Sequence, residues 1–126
     1  MEQGHFYHVY NRGNNKQAIF FERKNYIHFL SLFKKYLSDY IDVYAYCLMP
    51  NHFHFLIKVK ELPQTTTVFE TTVVSKQLSP IEKAFRDFFI AYEKGINKAH
   101  NRTGALFQQK FKRKQVGDDI YFTSLI

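Results

Sequence analysis

The sequence predicts an α+β fold of the ferredoxin-like type, in which two helices cover one face of an antiparallel sheet and leave the other face free. The first observation is the order of the periodic segments, which is strand, helix, strand, strand, helix, strand. The second is length, because 126 residues normally form one domain, here predicted to span 1–126. The third is composition: 45% hydrophobic residues, among them fourteen Phe and nine Tyr, suffice for a core.

The first half of the chain supplies three strands and one helix. Residues 5–10 are rich in aromatic and β-branched side chains and predict a strand that ends at the polar loop 11–15. Apolar side chains then recur at helical spacing: Tyr26, Phe29, Leu30, Phe33, Leu37 and Tyr40. Alternation over 41–48 predicts the second strand, and a Met-Pro-Asn turn joins it to the third, 52–59, as an antiparallel hairpin.

Alternation along the second strand divides its side chains between the two sheet faces. It predicts Cys47 as a small buried core residue, and Tyr44 and Tyr46 on the free face, where they could stack on unpaired bases. Half-buried packing within the sheet is the alternative for both tyrosines. Because Cys47 is the single cysteine, the chain has no internal disulfide, which fits a reducing, cytoplasmic location.

The second half of the chain contains one helix and one strand before its last residues. Residues 61–75 are rich in Thr and Val with little charge, and they predict an insertion or a mobile hairpin. Ser79 to Glu82 form a capping box with Pro at the first helical position, so the second helix starts there or some residues earlier. Alternation over 107–116 predicts a basic edge strand, and the acidic pair 118–119 would cap a closing helix over 120–126.

Basic side chains give the chain a formal charge of +7 and a pI near 9.5, which favours nucleic acid or an anionic membrane surface as partner. No apolar run is as long as a membrane span and the first residues lack a signal-peptide core, so we expect a cytoplasmic, nucleoid-associated protein with no membrane partner. Phosphate contacts are expected from Lys110, Lys112, Arg113 and Lys114, and hairpin or base contacts from Arg12, Asn14 and Asn15. A solvated surface side chain is the alternative for each.

Two histidines give the clearest chemical signal. His52 and His54 are two residues apart in the third predicted strand, so their side chains leave the same face of the sheet. The alternate side chains point into the core: Phe53, Phe55, Ile57 and Val59. Two imidazoles side by side form half of a metal site on the free face. The alternative is a pair of ordinary sheet-surface histidines.

Four segments spread over nearly the whole chain form a set of motifs. They are YHVYNRG at 7–13, MPNHFHFL at 49–56, NRTGALFQ at 101–108 with FKR at 111–113, and DDIY at 118–121. Together they resemble the single-tyrosine HUH transposases, in particular the branch of REP-associated tyrosine transposases and transposase-like proteins. Together with the other motifs, the MPNHxH segment is highly specific for this family, whereas an isolated His-x-His is not.

The resemblance implies a ferredoxin-like domain, usually a homodimer, that cuts and rejoins single-stranded DNA beside a folded hairpin. Such enzymes use Mg²⁺ or Mn²⁺ and a tyrosine that forms a 5′-phosphotyrosine link. An ion held by His52 and His54 would polarise a non-bridging oxygen of the scissile phosphate. Two histidines alone would bind Mg²⁺ weakly, so a third ligand, the phosphate and water should complete its shell.

The resemblance also indicates where the nucleophile should lie. In this family the tyrosine and a third metal ligand follow the Asp-Asp-x-Tyr region on the final helix. Since the chain stops at Ile126, we expect it to be truncated at its C-terminus, with the nucleophile beyond that residue. Tyr121 is the fallback nucleophile within the chain, and packing is its alternative role. Tyr92, in the second predicted helix, is expected in the core.

Two other classes of function stay open at this point. A ferredoxin-like sheet with exposed aromatic side chains could bind single-stranded RNA or DNA by stacking, without a metal. The chain could also be a non-catalytic remnant of a transposase that binds single-stranded nucleic acid or only dimerises. Binding that ignores metal would favour the first class, and convergence of His52 and His54 on one ion would favour the nuclease.

Overall fold

The structure is a computed structural model that describes residues 1–61 and 79–117. The elements in chain order are β1 (Phe6–Arg12), a short 3-10 helix (Asn14–Lys16), α1 (Arg23–Leu37), β2 (Ile41–Met49), β3 (His52–Val59), α2 (Pro80–Ala99) and β4 (Lys112–Val116). Several predictions lie outside the described residues: the insertion or hairpin beyond Glu61, the acidic cap at 118–119, the closing helix and Tyr121.

The described strands form one antiparallel sheet with the order β2-β3-β1-β4. The two central strands are therefore β3 and β1. Among the described elements, each of them is followed by a helix and then by a strand at an edge of the sheet. This order and the placement of both helices on one face are those of the ferredoxin-like α+β fold, so the predicted fold class is confirmed.

Both helices begin at side chains that satisfy their free backbone N–H groups. At α1 the Glu22 side chain accepts from the backbone of Asn25, and the Asn25 side chain accepts from the backbone N–H of Glu22 at 2.8 Å. At α2 the Ser79 hydroxyl accepts from the N–H of Glu82 at 3.3 Å, as the sequence predicts. Neither described helix is long and apolar enough to cross a bilayer.

The core consists mainly of phenylalanine rings between the helices and β3. Phe33 of α1 stacks on Phe55 of β3 with 4.1 Å between ring centroids, and Phe29 meets Phe88 of α2 edge-on at 4.9 Å. The predicted inward side chains of β3 are all buried: Phe53, Phe55, Ile57 and Val59. Tyr92 is buried as predicted and donates a hydrogen bond to the carbonyl oxygen of Ile19 at 2.6 Å. Burial raises the pKa of Tyr92 well above its usual value.

A bulge interrupts β2 near its middle. Val43 pairs with Ile57 and Ala45 pairs with Leu56, which makes Tyr44 the extra residue between the two pairs. A one-residue bulge reverses the face to which all later side chains of the strand point. Strict alternation therefore holds only for the first part of β2.

The bulge overturns two predictions about β2 and leaves a third in place. Tyr46 pairs with Phe55 and stacks on its ring at 5.6 Å, so it lies on the helix-covered face and not with the histidines. Cys47 pairs with His54 and is exposed, so it is not a core residue. Tyr44 keeps its predicted face and is itself exposed.

The last described strand is shorter than the sequence predicts. It begins at Lys112, whereas alternation predicted a strand from Phe107 onward. Leu106 and Phe107 are neighbours and both are buried. Their segment instead runs beside the end of β1, where the N–H of Gln108 donates to the carbonyl of Arg12 at 2.9 Å. Only the region 112–116 of the predicted strand belongs to the sheet.

Candidate functional site

The two histidines of β3 lie on the sheet face opposite the helices. Their ring centroids are 5.2 Å apart and the ring planes are nearly perpendicular, at 84°. The structure thus places His52 and His54 on one face and close together, as their spacing predicts. That His52 and His54 bind a metal ion stays a prediction.

Strand register sets which side chains surround these histidines. Arg12 lies opposite His52 and Tyr10 lies opposite His54 on β1, and Lys112 of β4 lies opposite Tyr10. These side chains share a face because directly paired residues of an antiparallel sheet point the same way. They line a cavity of about 370 Å³ together with Lys16 and the two histidines.

The nearest polar neighbour of His54 is a third histidine. Nε2 of His8 lies 2.8 Å from Nδ1 of His54, so the two rings share a hydrogen bond. The rings of His8 and Tyr10 stack with their centroids 4.5 Å apart, and those of Tyr10 and His54 at 5.5 Å. No sequence pattern singles out His8 as a site residue. Its position two residues before Tyr10 could have placed it on this face, but only the register reveals its partner.

The environment of His8 and His54 disfavours their charged forms. Burial lowers the pKa of His8, and the nearby His54 and Lys114 lower it further. Burial likewise lowers the pKa of His54, with a smaller contribution from His52. A neutral imidazole carries one free nitrogen lone pair, which is what a metal ion requires of a histidine ligand.

His52 is held in a defined tautomer by the residue before it. Its Nδ1 lies 2.8 Å from Oδ1 of Asn51. Because an amide oxygen can only accept, His52 donates its proton from Nδ1 and keeps the lone pair on Nε2. Nε2 of His52 is therefore the atom able to bind a metal ion.

The donor set on this face fits half of a metal centre. Among residues 1–61 and 79–117, no three His, Cys, Asp or Glu side chains are grouped so that they could hold an ion. His52 and His54 could thus supply two ligands to an ion, with phosphate and water at its remaining positions. Two imidazoles suit a transition-metal ion better than Mg²⁺, which prefers oxygen ligands.

The predicted phosphate contacts of β4 are divided between the two sheet faces. Lys112 pairs with Tyr10 and Lys114 pairs with His8, so both lie on the histidine face. Arg113 lies on the helix-covered face, where its guanidinium is 3.7 Å from a carboxylate oxygen of Glu82. Of the predicted cluster on β4, the two lysines are the cations that the structure brings to the histidines.

Lys110 is not part of β4. It lines a separate cavity of about 560 Å³ between α2 and the segment that precedes the strand. The apolar part of that cavity is formed by Phe89, Ile90, Phe107 and Phe111. Lys110 therefore lies apart from the lysines on the histidine face.

The loop after β1 contributes one residue that the sequence analysis missed. Asn14 and Asn15 lie in the short 3-10 helix, where Asn14 is half-buried and Asn15 is exposed. Lys16, at the end of that helix, lines the cavity that contains the histidines. Arg12 lines the same cavity, and its contact with DNA stays a prediction.

Comparison with known proteins gives matches at the level of structure. No protein-family model and no curated protein matches the chain. A REP-associated tyrosine transposase bound to a REP hairpin superposes with a TM-score of 0.61 at 13% sequence identity. The match covers 98% of this chain and 63% of that one, so this chain spans less than two thirds of its length. This chain has the fold of that transposase.

A second solved structure supports the same assignment of fold. It is the crystal structure of a candidate transposase from Deinococcus radiodurans R1, with a TM-score of 0.54 and 16% identity. The match covers 99% of this chain and 93% of that one. The resemblance drawn from the sequence motifs is thus confirmed for the fold.

Proposed function

We propose that this chain is a metal-dependent DNA transposase that cuts and rejoins single-stranded DNA at hairpin-flanked sites through a 5′-phosphotyrosine intermediate. The observation that carries the proposal is the pair His52 and His54 on the open face of a transposase fold, where His52 keeps its Nε2 lone pair free. The REP-associated neighbour is bound to a REP hairpin, which supports hairpin DNA as the partner of this chain.

The side chains around the histidines suit a scissile phosphate. His52 and His54 would hold a Mn²⁺ or Mg²⁺ ion, whose charge offsets that of the phosphate oxygens. Arg12, Lys16 and Lys112 line the same cavity and provide cations that hold a DNA backbone against it.

The nucleophile is assigned by resemblance alone. We propose that a tyrosine on the family's final helix attacks the phosphate, so that the 3′-hydroxyl leaves and the bond energy is kept in the phosphotyrosine. Rejoining then reverses this step and needs no ATP. Tyr121 is the tyrosine to test in this chain. A homodimer in the cytoplasm, close to the chromosome, is the assembly and location that go with this proposal.

A second candidate function is a non-catalytic module that binds single-stranded nucleic acid. Two observations favour it. Among the described residues no group of three candidate metal ligands is found, and an aromatic side chain is exposed on the histidine face. Tyr44 is 58% exposed there and contacts the ring of Phe6 edge-on at 5.1 Å. Such rings stack on bases without a metal.

Metal dependence distinguishes the two functions. Mn²⁺ binding is measured by electron paramagnetic resonance, and binding of a labelled hairpin with a single-stranded flank is measured by fluorescence anisotropy with and without Mn²⁺. The transposase proposal expects Mn²⁺ to bind and to tighten DNA binding, and both effects to vanish in the double variant His52→Ala, His54→Ala. DNA binding that is equal with and without Mn²⁺ would support the non-catalytic module.

A covalent adduct tests the proposed reaction directly. The same hairpin is incubated with the protein and Mn²⁺, denatured and separated by electrophoresis, so that a covalent adduct migrates as a shifted protein band. The proposal expects such an adduct, dependent on Mn²⁺, from a chain that carries the nucleophilic tyrosine. An adduct formed by residues 1–126 and lost in Tyr121→Phe would assign the nucleophile to Tyr121.

A further inference from the structure

The hydrogen bond between His8 and His54 is built into the centre of the sheet. On β1 and β3, Tyr10 is the direct partner of His54, and His8 is the diagonal neighbour two residues away. His8 is only 8% exposed, and its Nε2 lies 2.8 Å from Nδ1 of His54. The pairing of two central strands therefore holds this contact in place. Its formation requires no movement of a loop.

The contact restricts how His54 can bind an ion. Nδ1 of His54 is occupied by His8, so only Nε2 of His54 is available as a ligand atom. A neutral imidazole has one N–H, and a metal ion requires the nitrogen without it. If His8 donated the shared proton, His54 would keep its own proton on Nε2 and could not bind. If His54 donates, its Nε2 carries the lone pair.

The same arrangement is already present at the other histidine. Asn51 accepts the Nδ1 proton of His52 at 2.8 Å and so leaves Nε2 of that ring free. Outer partners of this kind fix the tautomer and the ring orientation of metal-binding histidines. His8 occupies the equivalent position behind His54, on a different strand.

We propose that His8 is a positioning residue that accepts the Nδ1 proton of His54 and thereby directs the Nε2 lone pair of His54 to the metal ion. This inference rests on the proposed function, because it assigns His54 as a ligand. His8 is not itself a ligand through Nε2, since that atom faces Nδ1 of His54. The metal centre is thus organised by three histidines, of which two bind.

The tautomer of His54 tests the proposal without any substitution. Long-range proton–nitrogen correlation spectra of the metal-free wild-type protein at neutral pH report which ring nitrogen carries the proton. We expect His54 and His52 to be protonated on Nδ1. A His54 protonated on Nε2 would overturn the proposal, whatever the protein does with metal or DNA.

Two substitutions at position 8 test the consequence for metal binding. His8→Gln keeps an acceptor near the position of Nε2, whereas His8→Phe keeps a ring and removes the acceptor. Loss of an outer partner typically weakens metal binding by about 10–100-fold, and we expect His8→Phe to weaken Mn²⁺ binding at the lower end of that range. His8→Gln should retain most of the affinity. His5→Phe is the matched control, because His5 lies outside the cavity and should leave Mn²⁺ binding unchanged.

The outcomes separate this proposal from the proposed function. If Mn²⁺ does not bind the wild-type protein, or binds the His52→Ala, His54→Ala variant equally well, the metal centre fails while the tautomer measurement still decides the role of His8. If Mn²⁺ binding requires His52 and His54 but is unchanged in a folded His8→Phe variant, the metal centre stands and the role of His8 is overturned. Equal loss in His8→Phe and His8→Gln would also overturn it, because the acceptor would then not matter.

Discussion

The two faces of the sheet hold their side chains by different interactions, although β3 contributes to both. On the helix-covered face, Phe53 and Phe55 are at most 1% exposed and contact other rings without directional bonds. On the free face, His52 and His54 are held by hydrogen bonds of 2.8 Å to specific partners. Apolar contacts tolerate exchange of similar side chains, whereas hydrogen bonds do not. Stability and candidate chemistry should therefore be separable by mutation within one strand.

The largest effect expected from this comparison is on stability. Phe55→Ala should lower the free energy of unfolding by about 3–5 kcal/mol, because it removes a buried ring and leaves a cavity. Phe55 stacks on Phe33 at 4.1 Å, so both rings lose their partner. Urea unfolding followed by circular dichroism measures the change. His54→Ala is the comparison on the other face, and a loss of stability as large as that of Phe55→Ala would refute the separation of the two faces.

The two tyrosines beside the bulge should respond differently. Tyr44 lies on the histidine face, so Tyr44→Ala should weaken binding of single-stranded DNA by about 1–3 kcal/mol if a base stacks there. Tyr46 stacks on Phe55, so Tyr46→Ala should instead cost about 0.5–1.5 kcal/mol of stability. Fluorescence anisotropy and urea unfolding on both variants give the comparison. Reduced DNA binding by a stable Tyr46→Ala protein would place the DNA on the other face.

The basic residues of β4 provide a matched set for the electrostatic part of DNA binding. Replacing Lys112 and Lys114 by Ala should weaken binding and flatten the logarithmic salt dependence by about 1.4, if each lysine neutralises one phosphate of a single strand. Arg113→Ala is the control, because Arg113 lies on the helix-covered face beside Glu82. DNA affinities at several salt concentrations decide the matter. An Arg113→Ala effect equal to that of a lysine would contradict the division of the cluster by face.

The smallest effect expected is a pH dependence of stability. Burial lowers the pKa of His8 and His54 below the usual 6.5, so below that pH the unfolded chain takes up protons that the folded protein resists. Their contribution to stability is therefore complete above pH 6.5 and is lost as the pH falls below it. Urea unfolding between pH 7.5 and 5 measures the loss. The pH dependence should be shallower in His8→Gln, and an unchanged profile would argue against burial of these imidazoles.

Local signals explain which parts of the fold could be predicted from the sequence. β3 was predicted with its observed bounds because a Met-Pro-Asn turn precedes an unbroken alternation of apolar side chains. The start of α2 was predicted because Ser79 and Pro80 carry the signal for a helix start. In both cases the information lies within a few neighbouring residues. The ferredoxin-like class of the β2-β3-β1-β4 sheet was predicted from the order of such segments along the chain.

The features that were not predicted depend mainly on pairing between segments that are distant in the sequence. The contact of His8 with His54 joins residues 46 positions apart and exists only because β1 and β3 pair in one register. The bulge at Tyr44 has no local signal such as glycine, and only the pairing with β3 reveals it. The position of Arg113 is a different case, because alternation within β4 already separates it from Lys112 and Lys114. That separation was available from the sequence.

The bulge at Tyr44 determines which side chains of the second half of β2 lie on each face. In an unbulged strand Tyr44 would pair with Leu56, and every side chain from Ala45 to Met49 would exchange faces. Tyr46 would then enter the histidine face and Cys47 would turn toward the helices. Deleting Tyr44 would instead remove the bulge and keep Ala45 opposite Leu56, so the later side chains would stay on their present faces. The one extra residue thus keeps Tyr46 out of the candidate DNA surface without any change in the rest of the strand.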